Sequence, residues 1–329
     1  MSPTPATRPP RVSTRTRLRP APGAIPRRPF GRTGETVSAL GMGGYHLGLV
    51  KNEREATGLV HAAMDAGITF FDNAWEYHEG RSEERLGKAL TGGRRQQVFL
   101  MTKVCTHGRD ARTAMRQLEQ SLRRLRTDHL DLWQVHEVVY AGDPERHFMK
   151  GGVIEALDRA REKGLVRFVG FTGHKDPALH LQMLSYGYPF DSVQMPLNCF
   201  DATFRSFEQQ VLPELLRQQI APIGMKSLGG EGQPAKKRAV RAPDALRYAM
   251  SLPVAVTVSG IDSARVLRQN LGVARGFRAM GPLEMERMRA RVAPLAVDGR
   301  FELYKTTAKH EADVGRKQHG YPPMGELGG

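Results

Sequence analysis

Only two cysteines, Cys105 and Cys199, occur in the 329 residues. That is too few for a disulfide framework or for a thiolate-ligated metal or iron–sulfur centre. No apolar run approaches the roughly 20 residues that cross a bilayer, so no membrane partner is expected. A reduced, cytoplasmic setting is the simplest reading of both absences. Acid is missing altogether from residues 1–34, which carry eight arginines. The whole chain has 49 basic and 34 acidic residues, a net charge of +15. Without that segment, 41 basic residues face the same 34 acids, and the surplus falls to an ordinary +7. The basicity therefore marks a tail, and no nucleic-acid partner is expected. Residues 1–25 are rich in Pro, Arg and Thr, hold too little apolar side chain to order themselves, and lack the apolar core of a secretion signal. They read as a disordered basic extension.

A dinucleotide-binding fingerprint is lacking as well. Gly41, Gly43 and Gly44 follow a strand-like run, but His46 stands where the third glycine of G-x-G-x-x-G is required. No acidic residue stands where a ribose partner would close the next strand. A doubly wound nucleotide-binding fold is therefore excluded.

What the chain does have is a repeated alternation. Short apolar runs lie at 37–44, 69–74, 97–104, 129–137, 166–172, 191–197, 221–227 and 254–260. Most are apolar nearly throughout, as strands buried on both faces are. Helix-length stretches separate them at 53–66, 82–90, 110–125, 151–163, 177–186, 204–218 and 243–251, with 263–275 after the last. In the third of these, Met115, Leu118 and Leu122 recur on one helical face. Eight strand–helix units at about 30-residue spacing predict an α/β fold, a single-domain (β/α)8 TIM barrel. The barrel is assigned to residues 26–280 and a C-terminal helix and tail to 281–329. The turn signal in 26–36 predicts a small hairpin capping the barrel floor.

Functional groups of such a barrel gather where strands end at its C-terminal face. Asp72, Lys103 and His136 break the apolar runs of the second, third and fourth strands at those ends, and Tyr77 follows Asp72 by five residues. Together they suit carbonyl reduction. Tyrosine is an acid for the developing alkoxide if its pKa, near 10 unperturbed, is lowered. A lysine cation lowers it, an aspartate keeps the buried lysine charged, and a neutral histidine donates a hydrogen bond to the oxyanion. Singly, each residue has an ordinary structural explanation; at the ends of consecutive strands they form a site.

The stretch Phe71-Asp72-Asn73-Ala74-Trp75-Glu76-Tyr77, continuing through Gly80-Arg81-Ser82-Glu83 to Leu86-Gly87, resembles the aldo-keto reductase pattern D-x-A-x-x-Y-x-x-x-x-S-E-x-x-L-G. The likeness runs on through Thr102-Lys103, Asp131-Leu132, His136 and Gly170-Phe171-Thr172, and spans about residues 27–275. It implies a catalytic tetrad with Tyr77 as proton donor, Lys103 as its modulator, Asp72 holding Lys103, and His136 orienting the carbonyl. For the cofactor it implies Thr172 and Gln194 at the carboxamide, with Gly173 where the family carries Asn. Asn198 is a further candidate there. Met225 stands where many members stack an aromatic ring on the nicotinamide, followed by Lys226, Leu228 and a glycine-rich loop. Gly260, Ser263, Arg265, Arg268 and Asn270 resemble the segment that binds an adenosine 2′-phosphate, which favours NADPH over NADH. Tyr45, Trp75 and His174 are the leading substrate-pocket candidates, with His46, His78 and Phe301–Tyr304 nearby. The expected partner is a small carbonyl compound, and the expected state a monomer or small homo-oligomer. An alcohol-oxidising sugar or polyol dehydrogenase and a cofactor-binding regulatory subunit are the alternatives.

Overall fold

The computed structural model describes residues 23–105, 110–308 and 310–326. All but the last three residues of the expected N-terminal extension lie outside them. Ten strands form among the described residues: β1 Arg27–Pro29, β2 Thr36–Ser38, β3 Leu40–Gly43, β4 Phe70–Asp72, β5 Phe99–Val104, β6 Leu130–Val135, β7 Val166–Thr172, β8 Ser192–Pro196, β9 Ala221–Met225 and β10 Val256–Gly260. Strands β3 to β10 pair in parallel, and β10 closes back on β3 to complete an eight-stranded barrel. This is the expected (β/α)8 architecture, with all eight sequence runs contributing a barrel strand.

The first run divides in two. Its leading half joins β1 in an antiparallel hairpin, and only Leu40–Gly43 enters the barrel. Ser38 makes the break, donating its hydroxyl to Leu40 O at 2.7 Å and its amide to Thr69 Oγ1 at 3.0 Å. The hairpin covers the floor as expected. Phe30 is fully buried, with its ring 4.8 Å from Phe99 and 6.1 Å from Phe70. Gly31 has φ +56°, and a Cβ there would lie 2.7 Å from Ala221 N, so this turn needs glycine.

Apolar side chains inside the barrel, among them Met101, Leu132, Ile223 and Val256, form one core with Phe30. A larger core lies between the strands and the surrounding helices. Helix Ala111–Leu125 shows the logic of that second layer. Asp110 caps it by accepting from Arg112 N, and Ala114, Met115, Leu118 and Leu125 are buried on its inner face. The expected helix at 204–218 is instead two, Phe207–Gln210 and Leu212–Arg217. Pro213 has no amide hydrogen, so it is accommodated in the first turn of a new helix.

Beyond the barrel come helix Pro282–Ala296 and two short helices, Leu303–Thr306 and Asp313–Gln318. The last is latched to the C-terminal end of the barrel. Ala312 N donates to Glu137 Oε1 at 2.7 Å, and Gln318 Nε2 donates to Cys105 O at 2.9 Å. No helix among the described residues is long and apolar enough to cross a membrane.

Candidate active site

Asp72 is the last residue of β4, Lys103 the penultimate residue of β5, and His136 the first after β6. Parallel pairing of these three strands brings the three side chains to one end of the barrel. Tyr77 returns to the same place because Trp75 N is pinned to Lys103 O at 3.1 Å and Tyr77 N to Ala74 O at 3.2 Å. The next two residues, His78 and Glu79, adopt left-handed backbone angles that turn the chain into helix Arg81–Ala89.

Lys103, 1% exposed, is in contact with the Asp72 carboxylate. Its Nζ also donates to Asn73 O at 2.7 Å and lies 3.4 Å from the Tyr77 hydroxyl. Gln194, from β8, donates Nε2 to the other Asp72 oxygen at 3.3 Å. The Tyr77 ring stands edge-on to His136, with centroids 5.8 Å apart, and to Tyr45 at 5.4 Å. All four expected catalytic residues are thus brought together.

The electrostatics differ from the expectation in one respect. Lys103 was expected to lower the pKa of Tyr77, but the phenol is raised well above its usual value. Burial is the main cause, and Asp72, Glu76 and Glu137 reinforce it. Tyr77 is therefore held as a neutral phenol with its proton in place. Burial also lowers His136, which Glu76 opposes.

The neighbouring strand ends add further buried charge. Glu137 is pushed up to about 8 by burial, and Lys226 down to about 8 by the same cause. His174 is 3% exposed, with Nδ1 3.8 Å from Glu137 Oε2 and Nε2 buried without a hydrogen-bond partner. Its pKa is pulled well below the ordinary histidine value, chiefly by burial and then by Lys226.

The arrangement of a parallel eight-stranded barrel with an Asp–Lys–Tyr chain and a histidine at its C-terminal mouth has counterparts. Residues 39–244, which hold all four of these side chains, match the model of the aldo/keto reductase family. The chain belongs to that family. Aldo-keto reductase YhdN of Bacillus subtilis is 31% identical over 210 residues, 60% of each chain. Methylglyoxal reductase YeaE of Escherichia coli is 36% identical over 102 residues, 31% of this chain and 36% of the relative. The matches thus span less than two thirds of those relatives' own lengths. Among solved structures, a holo-form aldo-keto reductase from Bacillus halodurans superposes with a TM-score of 0.68 at 20% identity, covering 81% of this chain and 96% of that one.

The other expected residues are placed unevenly. Thr172 ends β7 and is buried, and Gln194 Oε1 is buried with no hydrogen-bond partner. Gly173 has no room for the family's asparagine, since a Cβ would lie 2.3 Å from Val138 O. Met225 ends β9 half-buried, and Lys226 and Leu228 follow it, also half-buried. Gly260 ends β10 beneath His46, whose Nδ1 would lie 2.1 Å from a Cβ. Ser263 caps helix Ala264–Ala274, and its hydroxyl donates to Asp262 at 2.9 Å. Arg265 and Arg268 are exposed at the start of that helix, and Asn270 donates to Ser259 Oγ at 3.0 Å.

Two further candidates are engaged in contacts with other parts of the chain. Trp75 donates its indole N–H to Gln120 at 2.7 Å and lies 5.6 Å from the Arg124 guanidinium, which ties it to helix Ala111–Leu125. Asn198 belongs to the C-terminal support. It donates to Glu302 and Tyr304, and its oxygen accepts from Phe200 N and Asp201 N. Tyr304 is fully buried in that network, while Tyr45 is half exposed beside Tyr77. Sequence reasoning did not single out Glu76, which contacts His136, or Glu137, which anchors the C-terminal segment. Both are acids directly adjoining a tetrad member, and that adjacency was the available signal.

Proposed function

We propose that this protein is an NADPH-dependent reductase of a small aldehyde or ketone. The observation that carries the reading is the chain Asp72–Lys103–Tyr77, meeting His136 at the barrel mouth. The residues present fit a nicotinamide cofactor. The buried, unpartnered Gln194 Oε1 suits the carboxamide N–H, with Thr172 beside it on β7. Gly229, Gly230 and Gly232 take positive φ values in the loop after β9, where backbone amides can approach a pyrophosphate. Arg265 and Arg268 supply free guanidinium groups at a helix N-terminus for a 2′-phosphate.

Held there, a reduced nicotinamide would supply the hydride for the carbonyl carbon. The growing charge on oxygen then takes the proton of Tyr77, which burial keeps in place until that moment. Lys103, 3.4 Å from the phenol oxygen, offsets the phenolate charge that results, and Asp72 and Asn73 O fix its position. Tyr45, edge-on to Tyr77 and half exposed, is placed to meet a substrate approaching that oxygen.

Loss of NADPH absorbance with a reactive aromatic aldehyde, and with the methylglyoxal of the E. coli relative's name, tests the reading. Tyr77→Phe is expected to lower turnover by at least ~10²-fold while NADPH affinity stays nearly constant. An active Tyr77→Phe enzyme would remove the proposed acid.

A further inference from the structure

Glu76 directly precedes Tyr77, and its carboxylate meets Nδ1 of His136. The two side chains are 9% and 10% exposed, and both carboxylate oxygens and Nδ1 are sealed from solvent, in ion-pair contact with each other but without an aligned hydrogen bond. A neutral imidazole carries one proton. A carboxylate against Nδ1 keeps that proton on Nδ1 and leaves a lone pair on Nε2. The other charges around the pair are Lys103 from β5 and Asp72 from β4, with the Tyr77 ring edge against the imidazole. Beyond them stand Glu137, next in the chain, and His174 after β7.

We propose that Glu76 is a positioning residue that locks His136 into the Nδ1–H form, so that this ring offers a hydrogen-bond donor to a carbonyl oxygen only when doubly protonated. The proposal rests on the reductase reading and sharpens it. Neutral His136 would turn a lone pair toward the growing oxyanion, which disfavours it. The imidazolium offers Nε2–H and a positive charge, with Glu76 balancing that charge from behind. In the step itself, the carbonyl carbon accepts the hydride pair, the π pair moves to oxygen, and the oxygen takes the proton of Tyr77. His136 keeps its own two protons throughout.

The electrostatics agree in direction. Burial by itself would raise Glu76, but His136 and Lys103 outweigh it and hold the carboxyl below its usual range. Burial draws His136 below its usual value, with Glu76 and Asp72 resisting and Lys103 adding to the fall. Reduction should therefore slow as pH rises through a His136 titration that lies on the acid side of the usual histidine range.

Nitrogen-15 NMR of the full chain with labelled histidine reads the tautomer directly, with His136 assigned by the signals lost in His136→Gln. Neutral wild type is expected to show Nδ1 protonated and Nε2 bare. In Glu76→Gln the titration midpoint should fall by more than about 0.5 unit, because a contacting carboxylate shifts a neighbour by about one unit or more. Glu76→Asp, which keeps the charge, should recover most of that shift. A neutral wild-type ring protonated on Nε2, or a smaller shift in Glu76→Gln, overturns the proposal. In parallel, the alkaline limb of the NADPH-linked reduction profile should move with the NMR midpoint. A limb that stays in place overturns the positioning role even if the tautomer is as expected. Absence of all reduction, with the NMR shift intact, instead counts against the reductase reading.

Discussion

Asp131 at the barrel floor and Asp72 at the mouth are almost equally buried, 4% and 5% exposed, but their surroundings differ. Asp131 accepts from Leu100 N at 2.8 Å, faces Arg95 at 3.0 Å and accepts from Arg167 at 2.8 Å. Arg95 is itself satisfied by Thr127 and His129 O, and Arg167 by Glu35. Among the described residues, Asp72 has Lys103 and one longer bond from Gln194. At that end of the barrel, Asn73 Nδ2, Gln194 Oε1 and His174 Nε2 are buried with no hydrogen-bond partner among the described residues. Buried polar atoms are normally satisfied. The Asp131 cluster, which meets this rule, reads as structure. A mouth that breaks it at several neighbouring atoms, and shifts the ionisation of Tyr77, Glu137 and Lys226, reads as a surface awaiting a ligand.

Asp131→Ala sharpens that contrast most. It strips three donors of their shared acceptor, and removal of one side of a buried ion pair typically costs about 3 kcal/mol or more. Urea unfolding should show a loss of that order, while turnover per folded molecule stays within about twofold. Tyr77→Phe should do the reverse, with its large loss in turnover and an unchanged unfolding midpoint. A floor variant that lost turnover while keeping its stability would break the division. The helix after β10 lies between these extremes, because its arginines are charged but exposed. Arg268→Ala should weaken NADPH by roughly tenfold, as loss of one charge-assisted contact does, and leave NADH nearly untouched. Equal effects on the two cofactors in a fluorescence titration would remove the phosphate assignment.

The barrel was legible in the sequence because strands buried on both faces show as apolar runs, and each polar interruption then marks a strand end. Asp72, Lys103 and His136 were visible for that reason. The hairpin was legible from the Arg32-Thr33-Gly34 turn, whereas the need for Gly31 shows only in its approach to Ala221. Contacts that join distant positions left no such trace. Nothing in the local pattern says that Trp75 turns to Gln120, 45 residues on, or that Asn198 meets Tyr304 across 106. The direction of the Tyr77 shift was missed because it is a sum over three carboxylates and burial, of which only Asp72 was in view.

Glu137 gives the finest test of the mouth, because its own ionisation records how unsatisfied that end of the barrel is. Burial is the main cause that raises its carboxyl to about 8, against an accepted bond from Ala312 N that resists. An unfolded glutamate ionises near 4.5. Between these two values the unfolded chain has released a proton that the folded chain still holds. Folding stability contributed by this group is therefore lost as pH rises from about 4.5 to about 8. Glutamine has the shape of the protonated acid and cannot ionise. Thermal midpoints of wild type and Glu137→Gln should nearly coincide at low pH, with the variant ahead by roughly 5 °C near pH 8. Parallel curves across that range would mean that Glu137 is solvated in the folded protein, and the mouth would then resemble the floor.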